Sequence, residues 1–132
     1  MKKILVCLFT IVSLSTLSAQ DFIQNHIYYT VVTGTNEVSV QGNINLTGDA
    51  VIPETVTNNN ITYTVTSIGN NAFYDSNLTG ITLPNSLTSI GSLAFYSCNL
   101  LTTIQIPDSV TFIGDEAFLS CGGLQTINLP NL

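Results

Sequence analysis

The stretch L-T-S-I-G-S-L-A-F-Y-S-C-N-L-L-T-T-I-Q-I-P, from Leu87 to Pro107, decides how this chain folds, because it is written three times. The copy before it reads V-T-S-I-G-N-N-A-F-Y-D-S-N-L-T-G-I-T-L-P (Val65 to Pro84). The copy after it reads V-T-F-I-G-D-E-A-F-L-S-C-G-G-L-Q-T-I-N-L-P (Val110 to Pro130). Ile68, Ile90 and Ile113 hold equivalent places, as do Gly69, Gly91 and Gly114, then Phe73, Phe95 and Phe118. The period is 22 residues for the first step and 23 for the second, since the first copy is one residue shorter near Asn77. Self-similarity at about 20–29 residues is the signature of a solenoid built on leucine-rich repeats.

Each copy is a unit that cannot bury its own apolar side chains. Leu78-Ile81-Leu83, Leu101-Ile104-Ile106 and Leu124-Ile127-Leu129 follow the pattern L-x-x-I-x-I/L. Alternation over its last three residues makes a short strand with two side chains inward and one outward. Leu87/Ile90 and Val110/Ile113 mark a second strand after the proline turn. Between the two lies I-G-x-x-A-F, whose Ala-Phe fits a single helical turn that drops the ring inward. Coils stacked about 4.8 Å apart bury every Ile and Phe against its equivalent in the next coil. The expected fold is mainly β: a right-handed solenoid of about three coils behind an N-terminal β cap. Strands are predicted near Gly80–Leu83, Thr103–Ile106 and Thr126–Leu129, and helical turns near Asn71–Tyr74, Ser92–Tyr96 and Asp115–Leu119.

The S-I-G-x-x-A-F-x-x-C core, the L-x-x-I-x-I/L-P strand and the following S-V/L-T resemble the BspA-like leucine-rich repeat of secreted and surface-attached bacterial proteins. The resemblance covers Val51 to Leu132. It implies a solenoid used for adhesion or for binding glycan and protein, with no catalytic residue to carry over. This chain departs from the pattern in having Ser76 where the later copies have Cys98 and Cys121.

The first 19 residues read as a secretory leader. Lys2 and Lys3 precede an apolar run to about Leu17, and small residues lead to a cleavage point after Ala19. The run is shorter than the ~20 residues needed to cross a bilayer, and Cys7 lies too early in it to carry a lipid. Without the leader no Lys or Arg remains, and eight acids set a formal charge of −8. Nucleic-acid binding draws its affinity from cations on phosphates, so that class is excluded, as is docking on an anionic membrane. A secreted or cell-surface location follows.

Residues 20–50 have a different texture and are expected to form the cap. Ile27 to Val32 and Glu37 to Val40 alternate around T-G-T-N, which predicts a hairpin, and Gly42 to Asp49 is expected to turn the chain. Residues 51–64 then form a degenerate first coil, with a second hairpin tipped at Asn58 to Asn60. The solenoid spans 51–132 and is expected to end on an open coil, as in a fragment of a longer repeat protein.

Few residues offer chemistry. Cys98 and Cys121 share one repeat position and are expected to be stacked, reduced thiols, with a disulfide as the alternative. His26 is a strand-end residue, and Asp115-Glu116 suit the N–H groups of a helical start. The sequons at Asn45, Asn60 and Asn77 follow from an Asn/Thr-rich composition. No metal site, no cofactor and no enzyme is expected. The candidate ligand face is the pair of outward ladders Gly80/Thr103/Thr126 and Thr82/Gln105/Asn128. Its hydroxyl and amide groups suit a host or matrix protein, or a glycan. The alternative is a structural unit that self-associates through its open C-terminal coil.

Overall fold

The computed structural model describes residues 21–43 and 46–130; the expected leader, Cys7 and the sequon at Asn45 lie outside the described residues. Strands β1 (Phe22–Gln24) and β2 (Ile27–Val31) pair antiparallel, and β2 pairs antiparallel with β3 (Glu37–Asn43). The Asn25-His26 link has φ of 51° and 64°, the paired positive values that a two-residue hairpin turn needs. The same device closes β5 (Thr55–Asn58) onto β6 (Ile61–Ile68), where Asn59 and Asn60 have φ of 50° and 63°. Both expected hairpins are present.

From β3 onward the chain coils. β3, β6, β8 (Ser89–Ile90) and β10 (Phe112–Ile113) lie side by side and parallel in one sheet, which β1, β2 and β5 extend. β4 (Thr47–Val51), β7 (Asn77–Thr82), β9 (Thr103–Gln105) and β11 (Thr126–Asn128) form the second, also parallel. The coil geometry therefore begins at Glu37, ahead of Val51, and the turn expected over Gly42 to Asp49 overlaps the end of β3 and the start of β4. The register of β3 against β6 shifts between Val38 and Ser39, where Thr66 of β6 is the extra, bulged residue.

The I-G-x-x-A-F segments are not the expected helical turns: among the described residues there is no helix. Asn71, Leu93 and Glu116 have φ of 59°, 57° and 57°, and Asp75, Ser97 and Ser120, four residues on, have 52°, 57° and 62°. These left-handed residues reverse every second peptide. The N–H groups of Asn71, Phe73 and Asp75 donate to the carbonyls of Ser92, Ala94 and Tyr96 at 3.1, 2.7 and 2.8 Å. Those of Leu93, Phe95 and Ser97 donate to Asp115, Ala117 and Leu119 at 3.0, 2.8 and 3.0 Å. A helix would direct the same donors back within its own coil. Each left-handed non-Gly residue costs about 1 kcal/mol, which the coil-to-coil bonds offset.

Three sides thus join each coil to the next, and the ladders fill the space between. Ile68 and Ile90, Ala50, Ile81 and Ile104, Leu78 and Leu101, and Phe73 and Phe95 are buried. Their counterparts in the last coil (Ile113, Ile127, Leu124 and Phe118) are only partly buried. The rings of Phe73, Phe95 and Phe118 stack at 5.2 Å per step, tilted by 10° and 4°. Gly91 is required by closeness rather than by turn conformation, for its φ is not positive. A Cβ there would stand 2.6 Å from the backbone nitrogen of Asn70, and one at Gly114 would collide with that of Ser92.

Candidate functional site

The outer face of the second sheet carries the expected ladders in register. Asp49, Gly80, Thr103 and Thr126 form one row across β4, β7, β9 and β11. Val51 pairs with Thr82 and Gln105 with Asn128 in the other. Thr82, Thr103, Gln105, Thr126 and Asn128 are exposed, and Gly80 is half-buried. The six candidate residues therefore share one surface. Inward between the rows, Ala50, Ile81 and Ile104 anchor the strands in the core.

Each row has a member that the repeats alone do not reveal. Asp49 crosses over Gly80: its Oδ1 accepts a 2.7 Å hydrogen bond from Thr79 Oγ1. Any Cβ at Gly80 would lie 2.8 Å from that oxygen, so the missing side chain makes room for the carboxylate. Val51 is 68% exposed beside Thr82. Aligning D-A-V-I-P (Asp49 to Pro53) with G-I-T-L-P (Gly80 to Pro84) exposes both residues in the sequence. β4, β7 and β9 floor a shallow groove of about 870 Å³ that Asp49, Asn85 and Asp108 also line, whereas Thr126 and Asn128 of β11 lie outside its lining. Hydroxyls and amides along it both donate and accept; the carboxylates only accept.

The remaining candidates lie elsewhere. His26 is exposed in the β1–β2 turn, on the other sheet. Asp115 and Glu116 are exposed on the turn side, where Glu116 is left-handed rather than at a helix start. Among the described residues no three His, Cys, Asp or Glu side chains come together as a metal site would require.

Cys98 and Cys121 are free thiols. Cys98 Sγ donates to the carbonyl of Phe73 at 3.0 Å, and Cys121 Sγ to that of Phe95 at 2.9 Å. Burial pushes both thiols up from their ordinary value. The repeat position thus wants a small donor aimed at the coil before it. Ser76 meets that need in size, and its Oγ lies 3.3 Å from Cys98 Sγ.

Known proteins share this architecture. A leucine-rich repeat protein from Bacteroides ovatus superposes with a TM-score of 0.78 at 36% identity, over 83% of this chain and 29% of its own length. This chain thus spans under a third of that protein. One from Bacteroides capillosus gives a TM-score of 0.59 at 25% identity, covering 81% of this chain and 96% of the other. The pneumococcal vaccine antigen PcpA shares the fold at 19% identity, with a TM-score of 0.60 over 88% of this chain and 39% of its own. No curated protein matches the chain. Residues 53–132 match the family described as the BspA type leucine rich repeat region (6 copies). With Ile, Gly and Phe recurring on three bonded sides of each coil, the chain belongs to the BspA-type leucine-rich-repeat family.

Proposed function

We propose that the chain is a non-catalytic binding module displayed outside the cell, holding an extended protein segment or glycan chain across its second sheet. The observation that carries this reading is the groove of about 870 Å³ over β4, β7 and β9, which presents Thr82, Thr103 and Gln105, on a face that β11 continues with exposed Thr126 and Asn128. A ligand that itself repeats, such as a polysaccharide or an extended peptide, can meet successive rungs with equivalent contacts. The leader pattern of residues 1–19 supports export, and the scattered acids suit a solvated surface. The test is an array of glycans and matrix proteins probed with the full chain and with Thr103→Arg and Gln105→Arg variants. Loss of a bound ligand in the variants, with unchanged thermal unfolding, supports the sheet face. Undiminished binding by both variants sinks it.

A second reading, assembly, rests on the last described coil. β10 and β11 are the outer strands of their sheets, and Phe112, Leu119 and Leu129 are exposed there. Parallel edge strands with apolar neighbours favour pairing with another chain, while like charge opposes it until salt screens it. Static light scattering that rises with protein and salt concentration supports assembly; a constant monomer mass removes it.

A further inference from the structure

We infer that the groove of the second sheet takes an extended, basic segment of a protein chain, with Asp49 and Asp108 each meeting a separate Lys or Arg side chain, an assignment that rests on the reading of that sheet as a binding face.

Three coils cross the groove with the same spacing: D-A-V-I-P-E (Asp49 to Glu54), G-I-T-L-P-N (Gly80 to Asn85) and T-I-Q-I-P-D (Thr103 to Asp108). Charge is spread unevenly over them. Asp49 opens the first and Asp108 closes the third; both line the groove and both are exposed. Their coils are two strand spacings apart, about 10 Å. Asp108 also stands at the repeat position of Glu54, five residues beyond that of Asp49. One small cation cannot touch both carboxylates. Nor does either belong to a trio of acid, His or Cys side chains, among the described residues, that would hold a metal. A ligand that satisfies both must carry two separated positive charges on a frame several residues long.

The surface between them matches a polypeptide. Asp49 is fixed in place, since its Oδ1 accepts from Thr79 Oγ1 in the space left by Gly80. Val51, two residues on and exposed, offers an apolar patch for the methylene stem of a Lys or Arg. Thr82, Thr103 and Gln105 both donate and accept, as the N–H and C=O groups of an extended chain require.

Other ligand classes fit less well. No aromatic side chain lines the groove, so a pyranose finds no negative ring face for its C–H groups. Acidic chains would bring like charge to a protein whose described residues hold eight acids and no Lys or Arg. The same field steers a basic partner toward the chain and fades as salt rises.

The test follows the fluorescence anisotropy of a labelled peptide of alternating Lys and Thr with the full chain, at low and at physiological salt. Glu/Thr and Ser/Thr peptides of the same length, spermine and cellohexaose serve as competitors. The basic peptide is expected to bind best, and more tightly at low salt. Asp49→Asn, which keeps the oxygen that Thr79 reaches, should weaken it about two- to fivefold, the size of one exposed ion pair. Asp108→Asn should do the same, and the double variant about four- to twentyfold, because distant sites add. Asp115→Asn, on the turn side, removes the same charge and should change binding by less than either. Thr103→Trp obstructs the groove without adding charge and should abolish binding. Thermal unfolding of these surface variants should match the parent. The proposal is overturned if no peptide binds, if the Ser/Thr or Glu/Thr peptide binds as well as the basic one, or if the double variant binds like the parent. It is also overturned if spermine or cellohexaose displaces the basic peptide at equal concentration. A competitor that binds and is itself blocked by Thr103→Trp would keep the sheet as a binding face and sink only the basic peptide. Basic-peptide binding that survives Thr103→Trp would remove the sheet reading, and this assignment with it.

Discussion

Replacing Phe95 with alanine is expected to cost about 3–5 kcal/mol, and replacing Phe118 about half as much. Phe95 is fully buried, with a ring 5.2 Å away on each side. Burying such a side chain contributes roughly 2–3 kcal/mol of transfer free energy. The cavity adds a further amount, at about 24 cal/mol per Å³ that fails to collapse. Collapse is resisted here because Phe73 and Phe118 are held by the coil-to-coil bonds of their own backbones. Phe118 is half-buried with one stacked neighbour, so it forfeits part of the transfer term and opens no closed void. Guanidinium titrations of the parent and the two variants measure both, read as shifts in midpoint at constant slope. In a domain of about 5–15 kcal/mol the Phe95 loss should be plain. Equal losses at the two positions, or a larger one at Phe118, would refute the reasoning, since the last coil would then be as well packed as the middle one.

Three further outcomes are expected. Gly91→Ala should destabilise by more than about 2 kcal/mol, because backbone rather than a movable side chain blocks the new methyl; far-UV circular dichroism melts read it. Cys98→Val should cost about 0.5–1.5 kcal/mol in chemical denaturation, because the Phe73 carbonyl loses the thiol but keeps the Ser76 N–H, whereas Cys98→Ser, which keeps a donor, should cost less. Burial pushes Tyr29 up to about 12 from 10.0. The folded state therefore holds its proton longer than the unfolded state. Its contribution is whole below pH 10 and is lost as pH rises toward 12, by no more than about 2 kcal/mol once solvent screening is allowed for. Tyr29→Phe should abolish that part of the alkaline fall, as followed by denaturation at pH 9 to 12.

Repetition made the core legible. Ile68, Ile90 and Ile113 announce a ladder because each sits beside the same Gly and the same Phe, and period-2 alternation then shows which strand residues face out. The turn side was harder. Leu93 and Glu116 are not residue types that favour left-handed backbone, so composition alone suggests a helical turn. Their conformation comes from the neighbouring coil, whose carbonyls draw the alternate N–H groups outward. The same error hid the Tyr74–Tyr96 pair: on a helix, residues next to the Phe rungs would diverge, but on these turns they stack. β3 and β4 escaped because only D-A-V-I-P of their coil keeps the repeat's spacing, and there Asp49 and Val51 stand where the next coil has Gly80 and Thr82.

The alternate reversal of peptides on the turn side has an electrostatic consequence. Every aligned N–H points toward the later coil and every aligned carbonyl toward the earlier one. Each coil therefore adds peptide dipoles of the same sign, as successive turns do in an α-helix, whereas successive peptides within each strand of the two sheets point opposite ways and nearly cancel. The turn side is a polarised column whose positive end is the last described coil, at the N–H groups of Glu116, Phe118 and Ser120. Asp115 and Glu116, the only adjacent acids in the chain, sit at that end, where negative charge is stabilised. Added coils would lengthen the column and keep its sign, so a solenoid of this type has an electrical direction as well as a chain direction.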